Sequence, residues 1–530
     1  MRLPVSFPAV GLALVAATAT ATDYVLTVGG GHSPHSNQVS LEKNALFFGR
    51  VLAETLPDAE HTVLFADGDD PRRDVQFIDP DAPLPRVYSL LARVFEETDH
   101  IAESYRDHEI PAVAGAATVE NLRGWIEAVG SKLGSGDRVI LYVTAHGGRS
   151  EDKKRPRNTT LYLWDDEEVT VEELSAALDE LPPQVPVVVV MVQCFSGGFA
   201  DLVFEGADAK GRPTPHDRCG FFATTHTRVA AGCTPDIDEA DYREYSSAFW
   251  AALLGRTRTG EPVEPPDHDG DGVVSFGEAH AYVLIESDTI DVPVKTSDAF
   301  LRAYSSERPK APPVIASRDD AGGGRPTAAE TGEPTRVTAL RPVAPLTADA
   351  PVASLLDVAD PSERAVIVGL SERLGLTRPD RAAEAREAAK RTEDERKRLR
   401  GRINRLERDY DDARGEIEAA VLAEWPELAG PWNPEARRLV AEQPEAIVGL
   451  IESHPRFEEF DRLEAEIVRL EERRLDLERR WAKCQRLLRT LETVVLAHNL
   501  PLTADPDLLS RYVRLRAAES ETLASLASEP

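Results

Sequence analysis

Val187-Val-Val-Val-Met-Val-Gln-Cys194-Phe-Ser-Gly-Gly198 and Val139-Ile-Leu-Tyr-Val-Thr-Ala-His146-Gly147-Gly148 are the two stretches that decide the fold. Each is a run of apolar, mostly β-branched residues that ends at a reactive side chain followed by glycine. Continuous apolar runs of this kind are typical of strands buried on both faces, as in a parallel sheet. Parallel sheets carry their functional groups at the carboxyl ends of the strands. If the two strands are neighbours, we expect His146 and Cys194 to emerge side by side.

A thiol beside an imidazole is the minimal nucleophilic pair, because the imidazole can take the proton of the thiol. The glycines after His146 and Cys194 let a substrate carbonyl approach backbone N–H groups. The alternative is structural, since cysteine is often a small buried residue and a histidine at a strand end can cap backbone groups. The occurrence of both residues at glycine-flanked strand ends favours catalysis.

The residues between the two strands predict a crossover connection. Residues 160–164 form a short strand, and residues 170–181 form a helix that begins with a capping box of Thr170 and Glu173. Strand, helix and strand joined by short links are the unit of a parallel sheet. We therefore expect the two apolar strands to run parallel, with further strands at residues 24–28 and 219–226.

The order of these elements resembles that of the legumain-like cysteine peptidases, within the larger clan that includes caspases and metacaspases. The likeness covers roughly residues 23–305 and includes Ala223-Thr-Thr, Tyr245-Ser-x-x-x-Trp250, Thr296-Ser-Asp and Leu301-Arg-Ala-Tyr304. It implies an α/β fold of the caspase type, a three-layer sandwich with a mostly parallel central sheet. It also implies a cysteine endopeptidase that hydrolyses a protein or peptide substrate.

The resemblance assigns roles to three residues. His146 is the catalytic base, Cys194 is the nucleophile, and the backbone N–H groups of Gly147 and Cys194 form the oxyanion hole. Legumains also carry an Arg-His pair after the first strand and a glutamate two residues before the cysteine, which help to bind asparagine. Here Ser36-Asn37 and Val192 stand in those places, so a preference for asparagine does not carry over.

An acidic segment offers another source of specificity. Asp236 or Asp238 could reach the primary specificity pocket and favour a basic substrate residue. The alternative is an exposed, solvated loop.

Asp267-His-Asp269-Gly-Asp271-Gly272-Val273-Val-Ser275-Phe-Gly-Glu278 matches the calcium-binding loop of an EF-hand. The predicted ligands of Ca²⁺ are Asp267, Asp269, Asp271, Val273 through its carbonyl, Ser275 and Glu278. Pro265-Pro266 precedes the loop, so a helix leaves it but none clearly enters, which favours a structural clip over a sensor. The alternative is an acidic turn without metal. No organic cofactor is expected.

The C-terminal part carries two seams of residues that alternate steps of three and four, as in a coiled coil. The seam residues are Thr392, Arg396, Leu399, Ile403, Leu406, Tyr410, Ala413, Ile417 and Ala420, and then Phe460, Leu463, Ile467, Leu470, Arg474, Leu477, Trp481, Cys484, Leu488, Leu491 and Val495. Pro426, Gly430 and Pro431 break the first helix, which predicts an antiparallel all-α hairpin with charged residues on solvated flanks. Cys484 is then a small core residue or, alternatively, an intermolecular disulfide partner.

These patterns predict four segments. Residues 1–21 have the charge, apolar core and small-residue site of a signal peptide, so we expect export to a periplasmic or extracellular location. Residues 22–305 form the peptidase domain, with the calcium loop at 267–278. Residues 306–350 have the composition of a flexible linker, and residues 351–530 form the helical coiled-coil domain. No later run is long enough to span a bilayer.

Charge and cysteine content limit the kinds of partner and of covalent cross-link that the chain can have. The formal net charge of −31 over 530 residues argues against nucleic-acid binding, because phosphates would be repelled. Cys219 and Cys233 are either a disulfide that closes a short loop or two small buried residues. Two other functional classes remain open: a catalytically inactive, caspase-like binding module, and a scaffold whose coiled coil self-associates. In the enzyme itself, the tail could instead dock over the active site, with cleavage in the linker to release it.

Overall fold

The computed structural model describes residues 21–79, 82, 84–96, 98, 101–308, 344–430 and 434–523. Residues 1–20 of the predicted signal peptide and 309–343 of the predicted linker, as well as Pro431, lie outside the described residues. The strands are β1 (Asp23–Gly30), β2 (Glu60–Phe65), β3 (Val75–Ile78), β4 (Glu103–Arg106), β5 (Arg138–Ala145), β6 (Gly147–Gly148), β7 (Thr160–Leu163), β8 (Glu167–Thr170), β9 (Val187–Met191), β10 (Arg218–Phe222) and β11 (Val294–Lys295).

The helices fall into two groups along the chain. The first group is α1 (Val39–Thr55), α2 (Arg86–Phe95), α3 (Val119–Gly130), α4 (Val171–Leu178), α5 (Tyr245–Leu254), α6 (Phe276–Glu286) and α7 (Thr296–Tyr304). The second group is α8 (Val352–Leu356), α9 (Pro361–Leu374), α10 (Arg381–Glu424), α11 (Pro434–Glu442), α12 (Pro444–Ser453), α13 (Phe457–Asn499) and α14 (Pro506–Glu519). Among the described helices, none has the length and apolar composition that a bilayer crossing requires.

A six-stranded sheet in the order β11-β10-β9-β5-β1-β2 forms the centre of the molecule. All neighbours pair in parallel except β10 and β11, which are antiparallel. Strand β5 lies directly beside β9, and every residue of both strands is buried. The apolar runs lack alternation because both faces of the sheet are covered. The predicted mixed α/β fold with a mostly parallel central sheet is therefore confirmed.

The connection from β5 to β9 contains a small antiparallel sheet, β6-β7-β8, and then helix α4. The Thr170 hydroxyl accepts the N–H of Glu173 at 3.3 Å, and the Glu173 carboxylate accepts the N–H of Thr170 at 2.9 Å. The predicted capping box is thus confirmed. It fixes the start of α4 and so the path by which the chain returns to the central sheet.

Helices α10 and α13 form the predicted antiparallel hairpin. Tyr410 stacks on Phe460 with ring centroids 4.7 Å apart, and Glu395 pairs with Arg473 nearer the other end. Cys484 is a free, buried thiol. The prediction that charged residues outside the seam are solvated is wrong for Arg486, which is 1% exposed. Its helix face packs against residues 284–291 and not against water.

The C-terminal helices share a hydrophobic core with the central sheet. Leu496, Leu500, Leu515 and Leu523 belong to the same buried cluster as the residues of β1, β5 and β9. The predicted linker also has ordered contacts at its end, because the N–H of Leu346 donates to Asn499 Oδ1 at 2.8 Å. The helices that follow residue 344 are therefore packed on the body that carries the sheet.

Candidate active site

The carboxyl ends of β5 and β9 touch through their backbones. A Cβ atom placed on Gly147 would lie only 2.5 Å from the carbonyl oxygen of Cys194 and 2.6 Å from Cγ of Gln193. Such an approach excludes every side chain, so glycine at position 147 is a requirement of the contact. The structure thus brings the predicted residues Gly147 and Cys194 together.

His146 is held in one tautomer by its neighbours. Its Nε2 lies 2.8 Å from the carbonyl oxygen of Ser36 and 3.0 Å from Oε1 of Gln38. A backbone carbonyl only accepts hydrogen bonds, so Nε2 carries the proton and Nδ1 is the basic nitrogen. Burial lowers the pKa of His146 below its usual value, which keeps the ring neutral at neutral pH.

Cys194 lies at a constrained turn. Its Sγ accepts the N–H of Ala230 at 3.3 Å, while burial raises the pKa of the thiol. The next residue, Phe195, has a left-handed backbone with φ of 60°, a strained conformation for a bulky residue. The N–H of Phe195 donates to the carbonyl of Arg228 at 2.8 Å, which helps to hold the turn. The resting thiol is therefore protonated and fixed in place.

A second thiol that the sequence did not associate with the site lies beside His146. The exposed Cys233 places its Sγ 3.8 Å from Nδ1 of His146 and close enough to Cys194 for the two thiols to interact electrostatically. All four cysteines are free, and Cys219 is buried in β10, so the structure favours the second alternative for Cys219 but not for Cys233. The only signal in the sequence was a cysteine after glycine in a polar loop.

The loop that carries Ala230 and Cys233 is held by the C-terminal helices. Arg228 pairs with Glu478 at 2.6 Å and lies over the ring of Trp481, both on α13. The N–H of Ala231 donates to Oδ1 of Asp291 at 2.8 Å. The backbone carbonyl of Asp291 in turn accepts a hydrogen bond from Arg486 of α13 at 2.8 Å. The site loop is therefore tied to α13 both directly and through Asp291.

The positions that differ from the legumain pattern have structural partners here. Asn37 is buried, accepts the N–H of Gly31 and donates to Asp74. Val192 is also buried. Asp236 and Asp238 accept backbone N–H groups two residues further on, at 3.0 and 2.9 Å, so their carboxylates stabilise turns of their own loop.

The predicted calcium loop brings three carboxylates together. One oxygen each from Asp267, Asp269 and Asp271 lie within 4.8 Å of one another. Gly272 has a φ of 91°, the left-handed backbone that the sixth position of such a loop needs. Glu278 is 3% exposed and accepts the N–H groups of His268, Asp269 and Ser275. The backbone turn is formed, with the last predicted ligand hydrogen-bonded inside it.

Comparisons with known proteins leave the family open. No family model matches the chain, and no curated protein matches it. Among solved structures, a structural-genomics target from Geobacter sulfurreducens matches 44% of this chain and 80% of its own, with 14% identity and a TM-score of 0.26.

Proposed function

We propose that the chain is an exported, caspase-like cysteine endopeptidase that uses His146 and Cys194. The observation that carries the proposal is the contact between two parallel strand ends, with a basic Nδ1 on one and a thiol on the other. A neutral imidazole on one strand end and a protonated thiol on the neighbouring one are the starting state for general-base activation of a nucleophile, once substrate binding brings the two within reach. A preformed thiolate and imidazolium are not needed.

In this mechanism the proton of Cys194 passes to Nδ1 of His146 as sulfur attacks the carbonyl carbon of the substrate. The backbone N–H groups of Gly147 and Cys194 hold the resulting oxyanion. His146 then returns the proton to the leaving amine, and a thioester remains on Cys194. Water, with its proton taken by His146, hydrolyses the thioester and releases the second product.

Cys233 is a rival nucleophile for the same reaction, and labelling separates the two. We expect a peptide with a thiol-reactive electrophile to modify Cys194 in the wild-type protein and in Cys233→Ala, as measured by mass spectrometry of digested protein. Cys194→Ala should lose both the label and peptidase activity. Cys219→Ala is a matched control for the loss of a buried thiol. Full activity of Cys194→Ala, or labelling confined to Cys233, would show that the assignment is wrong.

The proposal includes calcium at the 267–278 loop. Three oxygen donors already converge, Gly272 has the required backbone, and Ser275 and Glu278 lie at the start of α6. Hard oxygen donors in this pattern suit Ca²⁺, which would also require Glu278 to exchange its backbone partners for the ion. Calorimetry should detect binding at millimolar calcium or below, and Asp267→Ala should abolish it. An identical titration for both proteins would rule the site out.

The helical tail enters the proposal as an intramolecular partner of the site. Arg228 and Glu478 join the site loop to α13, so we expect the tail to position the loop and not to act only as a free scaffold. Arg228→Gln should lower kcat/KM while the labelled cysteine stays the same. An unchanged kcat/KM would favour a scaffold role.

Export is tested by determining the N-terminal sequence of protein collected outside the cytoplasm. This protein should lack residues 1–21.

A further inference from the structure

A cavity of about 260 Å³ lies between the central sheet and helix α13. Four cations line it, namely Arg157, Lys295, Arg302 and Arg489, together with the single carboxylate Asp298. We call it the Arg489 cavity. One buried water needs only about 15 Å³ on this measure, so the cavity has room for a much larger occupant.

Three of the four cations have carboxylate partners. Arg157 pairs with Asp201 at 2.7 Å, Lys295 pairs with Glu519 at 3.0 Å, and Arg302 pairs with Glu492. The partners Asp201, Glu519 and Glu492 do not line the cavity, so these pairs fix the side chains from outside it. Arg302 also pairs, at 4.0 Å, with Asp298 inside the cavity. Guanidinium groups fixed in this way can still donate further hydrogen bonds, because each carries five N–H donors.

Arg489 has no such partner. Within the described part of the chain it forms no ion pair and no hydrogen bond, and its Nε is buried without an acceptor. Burial, followed by the nearby charge of Arg302, lowers the pKa of Arg489 to about 10, and the carboxylates of Asp298 and Glu492 offset part of that shift, so the group remains protonated at neutral pH. Arg489 is thus a partly buried cation that no acceptor contacts directly, and a further group that accepts its hydrogen bonds would stabilise it.

The neighbouring wall suits an anion as well. His226 lines the cavity, and burial together with Arg157 and Arg489 lowers its pKa to about 4. The ring is therefore neutral at neutral pH and adds a hydrogen-bonding group without further charge. Gly197, three residues after Cys194, forms part of the same wall.

We propose that the Arg489 cavity binds a small anion that carries a phosphate group. A tetrahedral phosphate presents oxygens in several directions and can accept from more than one guanidinium, whereas a carboxylate offers two oxygens in one plane. The volume leaves space for an organic group beside the phosphate. The site joins α13 to the turn after Cys194, so its occupant bridges the tail and the catalytic sheet. Binding does not depend on peptidase activity.

The test uses the full-length protein in calcium-free buffer, with inorganic phosphate as the probe and chloride at equal ionic strength as the blank. Calorimetry should show one saturable site in the wild type, with a rise in Tm. Arg489→Gln should weaken phosphate binding by at least about tenfold. Arg489→Lys keeps the charge but loses the planar guanidinium with its several N–H donors, so it should weaken binding by a smaller factor. Arg473→Gln, on the exposed side of α13, is the matched control and should bind like the wild type.

Three results would overturn the proposal. One is the absence of saturable phosphate binding by the wild type. Another is unchanged affinity in a folded Arg489→Gln or Arg489→Lys variant. The third is citrate binding as tight as phosphate binding, which would assign the cavity to carboxylates.

Discussion

Arg486→Met should weaken the attachment of α13 to the sheet-bearing part of the chain. Arg486 makes five hydrogen bonds: to the carbonyls of Leu284, Ser287, Thr289 and Asp291, and to the Thr289 hydroxyl. Methionine keeps much of the aliphatic stem but leaves these acceptors without a donor. A hydrogen bond to a charged group contributes a net of about 1.5–3 kcal/mol, and a buried acceptor left without a donor costs about 1–3 kcal/mol. We expect the free energy of unfolding to fall by about 4 kcal/mol.

Urea denaturation followed by circular dichroism measures this loss. Arg473→Met on the same helix removes an exposed ion pair with Glu395 and should cost no more than about 1 kcal/mol. Arg486→Lys keeps the charge with fewer hydrogen-bond donors, so its loss of unfolding free energy should lie between those of Arg486→Met and Arg473→Met. If Arg486→Met lowered the free energy of unfolding by less than about 1 kcal/mol, the hydrogen bonds of Arg486 would not be what holds α13 in place, and the prediction would be refuted.

Three further predictions concern pH and packing at the site. Burial raises the pKa of Asp291 to about 6 from 3.8, so the folded state holds this proton more tightly than the unfolded state does. The free energy of unfolding should therefore fall by up to ~3 kcal/mol as pH rises from about 4 to above 6. Asp291→Asn should remove this part of the dependence of Tm on pH. Because the pKa of His146 is lowered, kcat/KM should decline on the acid side only below pH 6.5, and a decline that begins above that value would contradict a neutral buried base. Gly147→Ala should reduce kcat/KM at least about a hundredfold, because the added Cβ would clash with the Cys194 carbonyl oxygen. The control is Gly49→Ala in α1, where an added Cβ has no atom within 4 Å and peptidase activity should stay unchanged.

Local patterns predicted the scaffold of the site. The apolar runs predicted β5 and β9, and the Thr170 and Glu173 pair predicted the start of α4. The seam residues, spaced alternately three and four apart, predicted the hairpin of α10 and α13. Each of these signals depends on neighbours within a few residues or on a simple repeat. The adjacency of β5 and β9 followed from the crossover rule, which links local elements to sheet order.

Contacts between distant segments were beyond such patterns. The Ser36 carbonyl that fixes the tautomer of His146 lies 110 residues away in the chain, and Cys233 lies 87 residues from the same histidine. Arg486 was expected in solvent because a heptad describes one helix interface, while α13 has a second one against residues 284–291. A repeat in sequence does not reveal a partner outside the repeat.

The shared core also sets an order of assembly. Leu500, Leu515 and Leu523 are synthesised long after Cys194, yet they pack in the cluster that contains the first strand of the sheet. Contacts of such long sequence separation form late in folding. A nascent chain therefore carries the thiol and the imidazole for hundreds of residues before these leucines can complete the core around the site.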